Sequence, residues 1–211
     1  MSKLKTDTKQ KIRDKALEMF NERGIEYVGL RELAAILDMR VSNITYYFPT
    51  KDDLVYEISM GLNKANSEVI VANEKLSIAL FIDMLHKVFQ NHLKYRCLLL
   101  SFVHIMEQNK IIAAQYKQTQ KTRNTVLKKN IETLAASGFI SVADEEDIDF
   151  LVSCISLINR FWISEAAISF RHLNEEEQIQ YYLSLIKKIL KPYLTAKGRK
   201  DMSLVTLQKA S

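Results

Sequence analysis

Hydrogen-bonding side chains are concentrated in residues 41–48, VSNITYYF, where they could contact the edges of DNA bases. If this segment is a helix with Ile44 at its buried centre, a rotation of about 100° per residue turns the polar positions outward. The outward residues are then Ser42, Thr45 and Tyr46, with Asn43 on the shoulder of that face. A helix of about eight residues is about 12 Å long, and the major groove of B-DNA, about 12 Å wide, admits such an element. The pattern therefore predicts a helix that reads DNA.

Two short helices joined by a tight turn are predicted for Leu30–Lys51, and together they position these polar side chains. The apolar residues expected to face inward are Ala34, Leu37, Met39, Ile44 and Phe48. Pro49 then ends the second helix, because the residue before a proline is pushed out of the helical region. Such a pair of helices is typical of a helix-turn-helix DNA reader.

The run ITYYFPTKDDL resembles the recognition-helix signature of the tetracycline-repressor (TetR) family, LYYYF-x-SK-E/D-x-L. The upstream run FNERGIEYVGLRELAAILDMRVS is similar to that family's F-x-x-x-G-[YF]-x-x-T-[ST]-v-R-x-[IL]-A-x-x-x-G-V-S. The spacing agrees from Phe20 through Leu54 without a gap. The resemblance implies a homodimeric repressor that leaves a palindromic operator when a small molecule binds its larger domain. A helical adaptor with the same fold, which contacts protein rather than DNA, is the alternative.

Four departures from the family pattern affect the expected contacts. Val28 and Gly29 replace small hydroxyl residues, which leaves one phosphate contact without its usual donor. Asp38 replaces the turn glycine, and aspartate tolerates the left-handed backbone such a turn needs. The other two departures are Arg40 for the usual serine and Thr45 for the first tyrosine.

The resemblance also suggests roles for individual residues. Ser42, Asn43 and Tyr46 are the base-edge candidates, and the alternative for all three is a solvated helix face. Tyr47 and Lys51 match the family's phosphate contacts. Arg31 matches a position that can reach a guanine, for which arginine has the best donor geometry. Its alternative is an ion pair with Glu32 or Asp38. Val41 offers a methyl contact or packs inward.

Composition limits the class of protein. The chain has 211 residues, with 47% hydrophobic and 26% charged residues but only 5 Gly and 2 Pro. So few helix breakers predict an all-α fold. No apolar run reaches the ~18 residues of a membrane-spanning helix, and the polar N-terminus is unlike a signal peptide. We therefore expect a cytoplasmic protein without a membrane partner.

Charge is uneven along the chain, whose net charge is +5. Residues 1–15 carry six basic and two acidic side chains beside the expected DNA reader, where phosphate attraction explains them. The second basic run, from Lys187 onward, is predicted to be a solvated helix end or tail.

Enzyme and metal chemistry find no support in the sequence. The sequence contains no nucleophile with its base, no phosphate-binding glycine loop, no HExxH motif and no paired carboxylates. The four histidines lack metal-ligand spacing. Cys97 and Cys154 lie in apolar runs and are expected to be buried thiols. We expect no enzyme activity, no cofactor and no metal.

Helical periodicity continues to the end of the chain and suggests two domains. A three-helix head is predicted for residues 1–53 and a larger helical domain for ligand binding and dimerisation for residues 54–196. Residues 197–211 are predicted as a basic tail.

A ligand pocket is expected within residues 58–170, lined mostly by apolar side chains. Its candidate residues are Phe81, Leu85, Phe102, His104, Tyr116, Asn159 and Trp162. Such a lining favours a small hydrophobic or aromatic ligand. The alternative is a closed core, or a dimer interface for Asn159 and Trp162.

Surplus apolar faces predict a homodimer. The helix over residues 144–170 is apolar on two faces, and the helix over 174–194 carries a long apolar stripe. Left exposed, these faces would exceed what a monomer usually tolerates. The residues expected at the interface, in a four-helix bundle with a second copy, are Ile155, Ile179, Leu183, Ile186 and Leu190.

Overall fold

The computed structural model describes the backbone of residues 2–207 and the side chains of residues 7–204. Over those residues the chain forms eleven α-helices and one short 3-10 helix (Lys191–Tyr193), with no β-strand, so the predicted all-α fold is confirmed. The helices are α1 (Ser2–Arg23), α2 (Leu30–Ile36), α3 (Val41–Tyr47), α4 (Lys51–Val69), α5 (Ile78–Lys94), α6 (Arg96–Leu100), α7 (Phe102–Gln108), α8 (Lys110–Ala136), α9 (Glu145–Ser169), α10 (Glu175–Leu190) and α11 (Ala196–Leu207).

Proximity in space divides the chain into two compact units. The first contains Met1–Lys64 and Lys94–Lys117, and the second contains Ala65–Leu93 and Gln118–Ser211. The first unit therefore holds α1 to α3, most of α4, and also α6 and α7. The predicted domain bounds at residues 53 and 196 stay a prediction.

The first unit is built on a buried α1 face and the two helices that follow it. Ile12, Ala16 and Phe20 recur every four residues along α1 and are all buried. Gly24, with a φ of +93°, ends this helix, as a left-handed residue commonly does. Asp38, with a φ of +53°, makes the turn between α2 and α3, so aspartate does take the left-handed backbone expected there.

A capping box begins α4 after the stop at Pro49. The Asp53 carboxylate accepts bonds from the Thr50 backbone N–H at 2.9 Å and from its hydroxyl at 2.7 Å. The Asp53 backbone N–H donates in turn to the Thr50 hydroxyl at 3.2 Å. These reciprocal bonds satisfy backbone donors that a helix start leaves without partners. They fix where α4 starts directly behind α3.

The second unit uses one face of α9 and nearly all of the apolar stripe of α10 as core. Leu151, Ile155 and Trp162 are buried along α9. Each helix has a side-chain cap: Asp144 accepts from the Asp147 N–H at 3.1 Å, and Asn174 forms a capping box with Glu177. Acidic first turns also suit the helix dipole.

The five residues expected at a dimer interface lie in this core. Ile155, Ile179, Leu183, Ile186 and Leu190 are each at most 1% exposed within the single chain. The expectation assumed that one chain has nothing to cover the α10 stripe, but its own helices, α9 first among them, cover it. These side chains therefore offer no surface to a second copy, and a dimer needs another face.

Residues predicted as a basic tail include most of α11, which is attached to the second unit. A Cβ at Gly198 would lie 2.0 Å from the Phe139 carbonyl oxygen, so only glycine fits this close approach. The Lys197 ammonium donates to the Ser137 carbonyl at 2.8 Å and lies 4.1 Å from the centroid of the Phe139 ring. Residues 208–211 of the predicted tail lie outside the described residues.

Helix α9 is, within the described residues, the one helix long and apolar enough by composition to cross a membrane, with a mean hydropathy of 1.3. That mean includes polar residues, whereas the sequence-based expectation concerned an unbroken apolar run. Three acidic residues occupy its first turn, and one of its faces lies in the core. Core helices of globular proteins share these properties.

Candidate nucleic-acid interface and ligand site

Helix α3 has the two faces that its sequence predicts. Ile44 and Phe48 are buried beneath it, whereas Ser42 and Asn43 are exposed and Tyr46 is 65% exposed. None of its seven residues is an acid, a lysine, an arginine or a histidine. The exposed face therefore consists of neutral hydrogen-bonding groups, the kind that discriminate base edges in the major groove.

Thr45 and Val41 are the less polar members of this face. The Thr45 hydroxyl donates to the helix's own carbonyls, at 3.3 Å to Val41 and 3.4 Å to Ser42. Its proton is thereby used, so Thr45 is left to offer DNA an acceptor or its methyl group. Val41 is exposed rather than packed inward, which fits a methyl contact.

Tyr47 and Lys51 lie beside the reading face, and each has neighbours within the first unit. The Tyr47 ring is half-buried and meets the Tyr46 ring edge to face at 5.0 Å. The Lys51 ammonium donates to the Glu26 carbonyl at 3.3 Å and lies 5.9 Å from the centroid of the Phe20 ring. Burial lowers the pKa of Lys51, an effect that Glu26 opposes. To contact a phosphate, Lys51 must turn away from this carbonyl.

Arg31 is exposed and does not form the ion pair considered as its alternative. The Glu32 carboxylate instead accepts a bond from Arg23 at 2.6 Å. No ion pair among residues 7–204 includes Arg31 or Asp38. The Arg31 guanidinium is therefore available to a guanine or a phosphate.

Tyr27 is a candidate contact that the sequence reasoning missed. It is 81% exposed in the turn before α2, and its backbone N–H donates to the Gly24 carbonyl at 3.4 Å. The signal was an aromatic residue in a short turn between two glycines, Gly24 and Gly29, at a position the family pattern leaves open. A phenol there can supply a phosphate donor near the positions where Val28 and Gly29 lack hydroxyls.

The predicted ligand residues fall in both compact units. In the first, the Phe102 and Tyr116 rings meet at 4.9 Å, whereas His104 is exposed. In the second, the buried residues are Phe81, Leu85 and Trp162. Asn159 also lies there, and its side-chain oxygen is buried without a hydrogen-bond partner among the described residues.

A buried polar network surrounds Trp162, and His92, its central member, was not among the predicted residues. The Trp162 indole N–H donates to His92 Nδ1 at 3.1 Å. His92 Nε2 lies 3.3 Å from the side-chain amide of Asn66, which in turn bonds Asn91 at 3.1 Å. Asn66, Asn91, His92 and Trp162 are called the His92 network below. The Phe89 ring stacks on Trp162 at 4.8 Å and closes one side.

The bonds of His92 fix its protonation state. Since the indole N–H can only donate, Nδ1 must be an unprotonated acceptor, so the proton of the neutral ring is on Nε2. Nε2–H then faces the Asn66 side-chain amide at 3.3 Å, and it can donate there only if the amide oxygen is on that side, with the Asn91 amide turned to match. Burial lowers the pKa of His92 to about 3, and the charge of Arg123 acts in the same direction. The four members of the network are therefore neutral, and the charged group that acts on them is the Arg123 guanidinium.

Comparison with protein families assigns the chain. A family model described as "TetR: Bacterial transcriptional repressor" matches residues 64–202, about two thirds of the chain. A second model, "Bacterial regulatory proteins, tetR family", matches residues 12–58, which include α2 and α3. The chain belongs to the TetR family. The resemblance seen in the sequence is thus confirmed, and it extends beyond the helix-turn-helix.

Individual relatives of this TetR-family regulator agree with that assignment. A probable HTH-type transcriptional regulator, YttP of Bacillus subtilis (strain 168), is 37% identical over 65 residues, which are 29% of this chain and 31% of the relative. The HTH-type transcriptional regulator LuxR of Vibrio harveyi is 36% identical over 70 residues, 33% of this chain and 34% of the relative. The chain thus spans about a third of the length of these curated relatives.

Solved structures extend the likeness of the TetR-family chain over nearly its whole length. A TetR-family regulator from Marinobacter aquaeolei VT8 has a TM-score of 0.86 at 20% identity, covering 94% of this chain and 97% of that one. Salmonella enterica GusR has a TM-score of 0.61 at 17% identity, covering 88% and 96%. At these identities they show the fold: an N-terminal helix-turn-helix followed by a larger helical domain.

The TetR family consists of transcriptional regulators, which are not enzymes. Among the residues that the structure describes, no group of three His, Cys, Asp or Glu side chains is placed to hold a metal ion. Cys97 is buried, and burial raises the pKa of its thiol to about 12, so it is a poor nucleophile.

Proposed function

We propose that this TetR-family regulator is a cytoplasmic homodimeric repressor that binds a palindromic operator through α3 and leaves it when a small apolar molecule binds the second unit. The observation that carries the proposal is that α3 exposes a neutral face while the side chains on its opposite face are fully buried. Ser42, Asn43 and Tyr46 are proposed to contact base edges, with Arg31 as a guanine donor. Tyr47, Lys51 and Tyr27 are proposed to contact phosphates.

A second face of α9 supports the homodimer. Phe150, Cys154, Leu157, Phe161, Ser164 and Ile168 follow one another at alternating spacings of four and three residues. This spacing forms one straight seam, apolar except at Ser164, as in helices that pair with their own copy. Phe150, Leu157 and Ile168 are 51%, 58% and 78% exposed. A twofold dimer across this seam would match a palindromic site, because each copy places one α3 in successive major grooves.

The proposed ligand is small and mostly apolar. Support comes from the aromatic rings around Trp162, the neutral state of His92 and the buried oxygen of Asn159. These aromatic and neutral groups favour a mostly apolar molecule that carries a hydrogen-bond donor.

Selection of duplexes from a random library tests the proposal. We expect the full chain to enrich a palindrome, and operator affinity to fall steeply with salt because phosphate contacts release counterions. The variant Asn43→Ala/Tyr46→Ala is the matched control and should enrich a less defined sequence. Enrichment of no sequence by the wild type would favour the helical adaptor instead.

A further inference from the structure

Asn21, on α1, holds the junction between α5 and α6 through both ends of its side-chain amide. Its Nδ2 donates to the Lys94 carbonyl, at the last residue of α5, at 2.9 Å. Its Oδ1 accepts from the Cys97 N–H, in the first turn of α6, at 3.0 Å. Helix ends leave such groups without intrahelical partners, and Tyr95, at the N-cap of α6, provides no side-chain cap. One residue of the DNA-binding head thus caps two helices that follow it much later in the sequence.

The other end of α6 is also attached to the head. Ser101 follows α6, and its hydroxyl bonds the side chain of Glu26 in the turn after α1. Burial raises the pKa of Glu26, but this bond lowers it and the net effect is a pKa below the ordinary value. The Glu26 carbonyl in turn accepts from Lys51 at the start of α4. Helix α6 is therefore bonded at both ends to segments that flank the helix-turn-helix.

Helix α5 connects this junction by the chain itself to the His92 network. Lys94, whose carbonyl Asn21 holds, lies in the same turn as Asn91 and His92. Within the second unit, those two residues are bonded to Asn66 and Trp162. A shift of the indole thus changes the bonds of His92, and the last turn of a continuous helix can carry that displacement to the Lys94 carbonyl. Because the direction of each hydrogen bond in the His92 network is fixed, the network has little freedom to rearrange without moving the backbone.

We propose that Asn21 is a positioning residue through which the state of the Trp162 surroundings reaches the DNA-binding head. An amide suits the task because it donates and accepts in one rigid plane, so a displacement of either helix end strains both bonds. The inference rests on the proposed function, since it states how the ligand site and the DNA reader are linked. Linkage is reciprocal, so DNA binding must also alter the Trp162 surroundings.

Trp162 is the one tryptophan of the chain, and its fluorescence reports on the His92 network directly. The full-length variants are Asn21→Ala, which removes both bonds, and Asn21→Asp, which keeps the acceptor for Cys97 but loses the donor for Lys94. Glu22→Ala, at the exposed next position of α1, is the matched control. Circular dichroism confirms that each variant remains helical.

Two fluorescence measurements give the outcome. In the free protein, we expect Asn21→Ala to raise acrylamide quenching of Trp162 about twofold through local opening, Asn21→Asp to raise it less, and Glu22→Ala to leave it unchanged. With the selected duplex, the wild type and Glu22→Ala should shift their Trp162 emission, whereas Asn21→Ala should lose the shift and bind about tenfold more weakly.

Equal quenching in all variants would overturn the role of Asn21 whether or not DNA binds. A full emission shift in Asn21→Ala would also overturn it, while the proposed function would stand. If the wild type selects no duplex but the Asn21 variants still raise the quenching of Trp162, the proposed function fails and the link between Asn21 and Trp162 stands.

Discussion

Acid should weaken the fold through His92, and His92→Gln should remove that effect. The ring is buried, accepts from Trp162 at Nδ1 and faces the Asn66 side-chain amide at Nε2, and its pKa lies at about 3. Glutamine can also accept and donate at this position, but it does not titrate. The comparison therefore changes the proton-binding group while retaining the types of hydrogen bond.

The size of the effect follows from the two pKa values. The unfolded chain binds a proton at His92 below its ordinary pKa of 6.5, whereas the folded protein does not until about pH 3. Between these values the unfolded state holds more protons. Each lowering of the pH by one unit therefore lowers the free energy of unfolding by about 1.4 kcal/mol. From pH 7 to pH 4.5 the contribution of His92 alone comes to a loss of about 2.5 kcal/mol.

Urea unfolding at pH 7, 5.5 and 4.5, followed by Trp162 fluorescence, measures this loss. Protein concentration is held constant, because the stability of a dimer depends on it. Carboxylates titrate in both proteins, so the difference between the wild-type and His92→Gln slopes isolates the histidine. His172→Gln, at an exposed position, is the control and should follow the wild type. Parallel pH dependences for the wild type and His92→Gln would refute the assignment of a buried neutral His92.

Three further predictions concern DNA, assembly and the turn of the helix-turn-helix. Asn43→Ala should relax preference at particular base pairs at a cost of about 1–3 kcal/mol, whereas Tyr47→Phe should weaken all sequences alike; a competition assay in which both behave alike contradicts the faces of α3. Leu157→Glu should give a monomer by light scattering, because it charges the α9 seam; an unchanged mass places the interface elsewhere. Asp38→Gly should raise the free energy of unfolding by up to about 1 kcal/mol, because glycine takes a positive φ without strain; a loss in thermal denaturation would show that the Asp38 side chain stabilises the turn.

The helix-turn-helix could be predicted from the sequence because its information is local. Ile44 and Phe48 lie one helical turn apart, and Pro49 and Thr50 mark the boundary within two residues. The faces of α3 follow from that short periodic pattern, and the structure has them as expected. The bond of the Thr45 hydroxyl to its own helix and the exposure of Tyr27 needed coordinates, since propensities do not fix such orientations.

Interactions between distant residues could not be predicted in the same way. Periodicity shows that α10 has an apolar stripe, but it does not say whether the same chain or a second copy covers it. Periodicity alone therefore predicts Leu183 and Ile186 at the interface, whereas the structure buries them in the core. His92 and Trp162 are 70 positions apart, so nothing local indicated their bond.

Because α3 carries no charge, it contributes to the preference among DNA sequences but little to the general affinity for DNA. A basic recognition helix contributes to both. Ions in solution compete with cationic side chains for phosphates, but they compete little with neutral groups for the edges of bases. For this protein, residence on DNA in general should respond to the ionic state of the cell, while the preferences that α3 itself contributes should not. A cell under osmotic stress would then lower the occupancy of sites that differ only at base pairs contacted by α3 by a similar factor, and the ranking among those sites would be preserved.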